Sequence, residues 1–497
     1  MAERKKKPVS IKELMEQDGG AILDEMLATG IRPRDEASRD YGQTLLKNLV
    51  EQLLDPGMVV AKGVTKTITQ RIAAVDELIS KQLNEVMHAS EFQQLEAAWR
   101  GMHQLVMNSE TGENMKVRVM NISKKDMLRD FQAAPEFTES ALWKKIYEYE
   151  FGLYGGDPYG CLVGDYEFDR SPQDVELLDH ISHVAAAAHA PFISAAGSGM
   201  FGLESYTQMP NPRDLAKIFD KSNPENTKWL SFRDSEDARF VALCMPHVLA
   251  RLPYGRDTNP TDSFDFAEDV DGEDHSKYLW SNAAYSFAQR LTEAFSRHHW
   301  CVAIRGPEGG GLVEGLPVHV FKTREGDVGS KCPTEVLIPD TREKELSDLG
   351  FIPLIHCKNT DYAAFFGANS VQRPKVYQEA AATANADLSR RIQYLMATSR
   401  IAHYLKAICR DKVGSFASRQ NVQDFLNGWI NNYVLDQDDA TQEQKAKYPL
   451  REARIEVTDD KARPGSYKAV AYLKPHFQLE ELNVSLRLVA DLPAAAK

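Results

Sequence analysis

The chain has 497 residues, 59 basic against 72 acidic side chains and a net charge of −13; its only basic block, Arg4 to Lys7, is too small a footprint for a nucleic-acid reader. That length suits two or three domains of roughly 150 residues with a large buried core. The start MAERKKKPVS has no apolar run behind it to make a signal or anchor, and the best membrane-span candidate, Val184 to Gly202, is mostly Ala and Gly with His189 and Pro191 inside it.

In chain order, Ser10 and Glu13 spell a capping box before the apolar set Ile11, Leu14 and Met15. A second set, Ile22, Leu23, Met26 and Leu27, is again helical in spacing and is stopped by Gly30 and Pro33. Helices this short are marginal in water, so they need a surface, either on their own body or on another protein. Arg32 to Arg39 is charged and irregular, and Tyr41 to Leu54 is helical until Pro56 and Gly57. From Val64 to Val86 the residues Ile68, Ile72, Val75, Ile79 and Val86 recur at helical spacing, a pattern that predicts core packing.

The stretch Glu91 to Met107 starts the packed body. Phe92, Leu95, Trp99, Met102 and Val106 form one stripe of a helix, with Gln93, Glu96, Arg100 and Gln104 on the other face. Met115 to Ile122 changes period and predicts a strand, Glu139 to Tyr149 a helix, and FGLYGGDPYG a turn. Cys161 to Phe168 reads as a strand; Ser171 and Pro172 open a helix through VELLDHISHVAAAA, and PFISAA reads as a buried strand.

Two amphipathic helices are expected between Asn211 and Leu252, then an acidic surface loop from Tyr254 to His275 and a helix from Tyr278 to Phe295. Strands are expected at Trp300 to Arg305, Val318 to Lys322, Thr334 to Ile338 and Phe351 to His356, with a helix from Arg342 to Leu349. After Pro374 the chain is helical, and from Arg451 it is β, with RIEVT, YKAVAYL and LNVSLRLV as strands. In the last of these Leu482, Val484, Leu486 and Leu488 share one face, opposite Asn483, Ser485 and Arg487. Such a strand can pair inside its own domain or add to a neighbour's sheet edge, and pattern alone favours the former.

Several motifs imitate enzymes. Gly197, Gly199 and Gly202 spell GxGxxG after a strand, the basis for a dinucleotide-binding oxidoreductase as the alternative reading. Pro210 and Pro212 leave no room for the helix that should follow, which makes a tight turn the better account. GPEGGGLVEG has Leu312 and Val313 where a phosphate loop needs Lys and Ser or Thr, and EDVDGED places Ala267 and Tyr278 at two calcium-ligand positions. His180 and His183, near Glu176 and Asp179, read as polar contacts on a helix face before they read as a metal pair. Six scattered cysteines without a CxxC pair argue for reduced thiols in a cytosol. No catalytic residue, cofactor site or metal site is expected.

EFQQLEAAWRGMHQLV resembles the signature of the large sheath subunit of type VI secretion contractile tails. The likeness continues in order through FDRSPQDVELL, WLSFRDSEDARFVALCMPHVLARLPYG, YLWSNAAYSFAQRLTEAFSRHHWCVAIRGPEGGGLVEGLPVHVF, ELSDLGFIPLIHCKNTDYAAFF, RIAHYLKAICRDKVGSFAS and FQLEELNVSLRLV, covering the body from about Gly63. The resemblance implies a structural protein of mixed α/β architecture: an arm over residues 1–62, a main sheath domain over 63–380 and a C-terminal sheath domain over 381–497, with central sheets flanked by helices and terminal arms that pair between subunits. It implies an obligate heterodimer with a small sheath subunit, stacked with other copies as a helical sheath around an inner tube on a baseplate, in the bacterial cytoplasm. A head-to-tail interface that does not close generates such a helix, and contraction is a switch between two packings. The resemblance also shifts the strand Leu482 to Leu488 toward pairing with a neighbour. It offers Ile11, Leu14, Met15, Ile22, Leu23, Met26 and Leu27 to a hexameric AAA+ unfoldase that recycles contracted sheaths.

Overall fold

A computed structural model describes residues 64–212, 214–262, 264–323, 326–411, 419–437, 439–459 and 467–476, together with scattered helical positions between 36 and 48. The chain divides into two compact units, Met1–Gln82 and Leu83–Lys497. In the first, the described positions from Glu36 to Asn48 are helical, so helix begins inside the stretch read as irregular. Helix α1, Val64–Met87, starts in this unit and ends in the second.

The second unit opens with α2, Ser90–Met107, and α3, Lys124–Ala133, the latter capped by Ser123, whose side chain accepts from the Asp126 amide. Between them the segment read as a first strand, Met115 to Ile122, makes no ladder, and Val117, Val119 and Met120 are exposed. The helix expected from Glu139 is a short α turn, Ala141–Trp143, followed by a π-helix, Lys144–Gly152. Its rings at Trp143 and Tyr147 stack at 4.3 Å.

The centre is a six-stranded mixed sheet. Strands β1 (Leu162–Phe168), β2 (Phe192–Ala196), β3 (Val241–Met245) and β9 (Phe351–His356) run parallel; β10 (Ala363–Phe365) and β6 (Leu312–Val313) add antiparallel. Their order across the sheet is β1-β2-β3-β9-β10-β6. Every residue of β2 and β3 is buried, as strands covered on both faces must be. Helix α4, Pro172–Ala188, links β1 to β2; Pro172 sits in its first turn and the Ser171 side chain accepts from the Asp174 amide. Helix α5, Ala283–His298, also packs on the sheet and is started by Asn282, whose side chain accepts from the Ala284 amide at 2.8 Å.

β3 corrects the reading of two helices before Leu252. VALCM is a central strand, and among the described residues of that stretch only Thr227–Arg233 is α-helical, with 3-10 turns around it. Five apolar residues in a row carry no period, so helix and buried strand look alike. Trp300 to Arg305 and Thr334 to Ile338 are likewise not strands, although Trp300, Val302, Ile304, Val336 and Ile338 are buried. The short strands of this region are β4 (Val248–Leu249) with β5 (Trp280–Ser281), and β7 (Val320–Lys322) with β8 (Val328–Ser330). Helix α6, Asp340–Asp348, precedes β9.

The C-terminal part has its own core. Helices α7 (Ala380–Ser389), α8 (Ile392–Asp411) and α9 (Arg419–Ile430) lead to the hairpin β11 (Leu450–Asp459) and β12 (Tyr467–Pro475). Ile401, Leu426, Ile430, Leu450, Ile455 and Val457 cluster there, joined by Trp300 and Val302 from the preceding part of the chain.

Candidate assembly surface

Helix α2 is turned the opposite way from the orientation its apolar stripe predicts. Its polar face meets the body and its stripe faces out. Glu96 accepts from Arg100 Nε at 2.7 Å and from Arg251 Nε at 2.8 Å. Arg251, itself buried, forks onto Glu268, with Nη1 2.6 Å from Oε2 and Nη2 3.1 Å from Oε1. The Tyr254 amide donates to Glu268 Oε2 at 2.9 Å, and the Arg251 guanidinium lies 4.6 Å from the Tyr254 ring centre. Burial alone would raise the Glu96 carboxyl, but hydrogen bonds from Arg251 and Arg100 outweigh it and hold the group below the usual carboxylate range.

Gly101 is the contact point with α5. A Cβ there would lie 2.3 Å from Cδ2 of Tyr285, so only glycine lets the two helices approach this closely. Gln93 Nε2 donates to the Ser276 carbonyl at 3.1 Å, and Ser109 Oγ lies 2.8 Å from Thr292 Oγ1. The fixed face is therefore Gln93, Glu96, Arg100, Gly101 and Leu105.

On the free face Leu95 is 56% and Trp99 63% exposed, flanked by exposed Phe92 and Val106, while Met102 is half-buried. On α1 the periodic Ile72, Val75, Ile79 and Val86 are exposed as well, against the core packing expected of them. Ridges of large apolar side chains on a firmly anchored helix mark a surface made for another protein. Sequence reasoning missed Arg251 and Glu268, the pair that sets this orientation. The available signal was Arg251 itself, a charge set between apolar residues in PHVLARLPYG.

The enzyme-like motifs are spent on structure. The loop after β2 is a 3-10 turn, Ser198–Phe201, in which the amides of Met200, Gly202 and Leu203 donate to Gly197, Gly199 and Ser198 carbonyls. Those amides cannot also hold a pyrophosphate. Gly202 has φ +69°, and a Cβ there would sit 2.8 Å from Arg170 Nη2. At the carboxyl end of the parallel strands, where α/β proteins bind ligands, a histidine is held between two carboxylates. His247 places Nδ1 2.5 Å from Glu335 and Nε2 2.8 Å from Glu167, and Tyr206 packs edge-on against its ring. Burial would lower this imidazole, yet the two carboxylates outweigh it and hold it up at about 10.

His180 stacks on Phe131 at 5.1 Å and His183 bonds Asp237 at 2.8 Å, so the two do not form a ligand pair. Asp271 Oδ1 accepts from the Glu273 and Asp274 amides, each at 3.0 Å, which closes EDVDGED as a turn. No group of three or more His, Cys, Asp or Glu among the described residues could hold a metal ion, and no described helix is long and apolar enough to cross a membrane. The helices of Ile11, Leu14, Met15, Ile22, Leu23, Met26 and Leu27 and the strand of Leu482, Val484, Leu486 and Leu488 lie outside the described residues.

Residues 69–372 match the model of the EvpB/VC_A0108 tail sheath N-terminal domain, and residues 381–492 that of the EvpB/VC_A0108 tail sheath gpW/gp25-like domain. The chain belongs to the tail sheath family. It is 49% identical over 475 residues, 95% of each chain, to the type VI secretion system sheath protein TssC1 of Pseudomonas aeruginosa. Among solved structures it is similar to a chain of the anti-feeding prophage baseplate, at 11% identity and TM-score 0.39 over 76% of this chain and 84% of that one. It is similar also to a chain of the anti-feeding prophage helical sheath in its contracted state, at 12% identity and TM-score 0.31 over 63% and 66%.

Proposed function

We propose that this tail sheath protein builds the contractile sheath of a type VI secretion machine, and that the outward stripe of α2, Phe92, Leu95, Trp99 and Val106, is the seat of the small sheath subunit. The observation that carries the second part is the inversion of α2: salt bridges hold its polar face and leave the apolar one to solvent. An apolar stripe is stabilised by leaving water, which a partner chain seated on it would provide.

On this reading the protein acts in the bacterial cytoplasm as the larger half of a heterodimer, stacked around an inner tube on a baseplate. Its role is mechanical and no catalytic residue is assigned. Leu482, Val484, Leu486 and Leu488 add a strand to a neighbouring copy, and the N-terminal helices are presented to an AAA+ unfoldase after contraction.

Co-expression of the chain with the product of a neighbouring small-subunit gene, followed by affinity capture and negative-stain microscopy, tests this. Long tubes from the native pair, and loss of capture in Leu95→Asp with Trp99→Asp, are the expected results. Capture undiminished in that variant would remove α2 from the interface, and absence of any tube from the native pair would remove the sheath reading.

A further inference from the structure

Ahead of β3 the chain forms a cleft of about 320 Å³ between the 3-10 turn Asp237–Phe240, the ribbon 372–377 and helix α7. Ala382, Asn385, Ala386 and Ser389 recur on α7 three and four apart, so one face of that helix makes a wall. The ribbon is fixed to the other two sides. Gln372 Nε2 donates to the carbonyls of Ser235 at 3.0 Å and Glu236 at 3.3 Å, and the Tyr377 amide donates to Thr383 Oγ1 at 2.9 Å. The cleft is built before anything enters it, which lowers the cost of binding.

Arg239 lines this cleft, and its Nε is buried with no hydrogen-bond acceptor among the described residues. A buried charged donor in that state is costly until something accepts from it. The acids around it are already engaged. Asp234 accepts from Arg373 Nε at 2.7 Å and Asp237 bonds His183 at 2.8 Å; beyond the ribbon, Asp387 accepts from Arg390 Nε at 2.8 Å and from Arg391 Nη2 at 2.5 Å. Lys375 Nζ reaches Glu236 at 3.3 Å, but both side chains are more than half exposed, and so loose a surface pair leaves the ammonium able to turn into the cleft.

Positive charge is therefore in excess here, in a chain whose net charge is −13. Buried Arg233, whose Nε donates to the Val371 carbonyl at 2.8 Å, registers the excess: burial first, then Arg373 and Arg390, bring that guanidinium down to about 10. His189 registers it too, lowered by burial and then by Arg239.

We propose that this cleft is a binding site for a small phosphate monoester, with Arg239 and Lys375 on the phosphate and Pro374, Ala382 and Ala386 against its carbon portion. A guanidinium presents a planar fork of donors that matches two phosphate oxygens, and the ammonium supplies the second charge that a dianion needs. The exposed Asn385 amide and the half-exposed Tyr377 offer further donors from the lining. The volume exceeds that of phosphate alone, and the apolar wall gives an ester group a surface to cover. The proposal does not depend on the sheath reading.

The test is isothermal titration of the full chain, in its purified assembly, with phenyl phosphate, inorganic phosphate and acetate in chloride buffer of matched ionic strength. Phenyl phosphate is expected to bind about tenfold more tightly than inorganic phosphate, and acetate more weakly than either. Arg239→Gln and Lys375→Gln should each weaken phenyl phosphate about tenfold, the loss of one charge-assisted contact. If Arg239→Gln does not assemble, Lys375→Gln, on an exposed side chain, decides. No binding heat from phenyl phosphate, inorganic phosphate or acetate bound as tightly as the ester, or an affinity unchanged in Lys375→Gln overturns the proposal.

Discussion

Gly101 and His247 show how single residues set this structure. A side chain at Gly101 meets the ring carbon Cδ2 of Tyr285 at 2.3 Å and Ser281 Oγ at 2.8 Å, so the two elements would have to move apart to admit it. Gly101→Val should therefore lift α2 from α5 and cost about 1–3 kcal/mol, read as a lowered melting temperature; an unchanged melt would show that the helices separate without penalty. His247 sets a pH dependence. Its folded value of about 10 lies above an ordinary histidine, so the stability it contributes is complete below about pH 6.5 and is lost as pH rises through 10. Buried His403 acts at the other end: burial depresses it to about 4, and the resulting cost appears as pH falls from about 6.5 through 4. Melting temperatures should peak near neutrality and fall toward pH 10, and His247→Gln should flatten the alkaline limb. An alkaline limb equally steep in the variant would rule out His247 as its source.

At the scale of elements, α2 separates two kinds of change. Arg251→Met leaves Glu268 buried without its partner and should destabilise the protein by about 3–5 kcal/mol, as broken buried pairs do. Trp99→Asp, on the exposed face, should move the melting temperature little, within about 0.5 kcal/mol, while abolishing capture of the small subunit. A large loss of stability in Trp99→Asp would mean that the stripe packs on its own body after all. The same helix shows what was legible beforehand. Its existence, length and stripe were, because period survives any environment. Its orientation was not, because it depends on Arg251 and Glu268, far along the chain, making a charged face the better partner for the body. β1, β2 and β9 were readable from short apolar runs bounded by turn residues, whereas β3 was absorbed into a false helix for want of any period. Met115 to Ile122 has strand composition without a ladder, a pairing that composition cannot supply. The glycine loop after β2 was recognisable as a turn, since the prolines behind it exclude the helix that a nucleotide site needs.

At the scale of the whole molecule, the exposed stripes of α1 and α2 make a prediction about the chain in isolation. Leu78 and Trp99 are 67% and 63% exposed, and Ile72, Leu95 and Met107 each exceed half. Surfaces of this kind persist on a monomer only at the risk of self-association. Expressed without a partner, the chain should elute from a sizing column as aggregate or go to the pellet, and co-expression with the small subunit should bring it into a defined complex. The net charge of −13 opposes association in general, so aggregation would have to come from local apolar contacts. That distinction can be tested on one protein. Leu95→Asp with Trp99→Asp removes the contact surface and adds like charge, so the isolated variant should gain solubility just as it loses the ability to bind the small subunit. High salt should leave aggregation of the native chain undiminished or increase it, since screening weakens repulsion and not apolar contact. A native chain that runs alone as a monodisperse monomer with a cooperative melt would contradict the assignment of α2 as a surface that requires another chain.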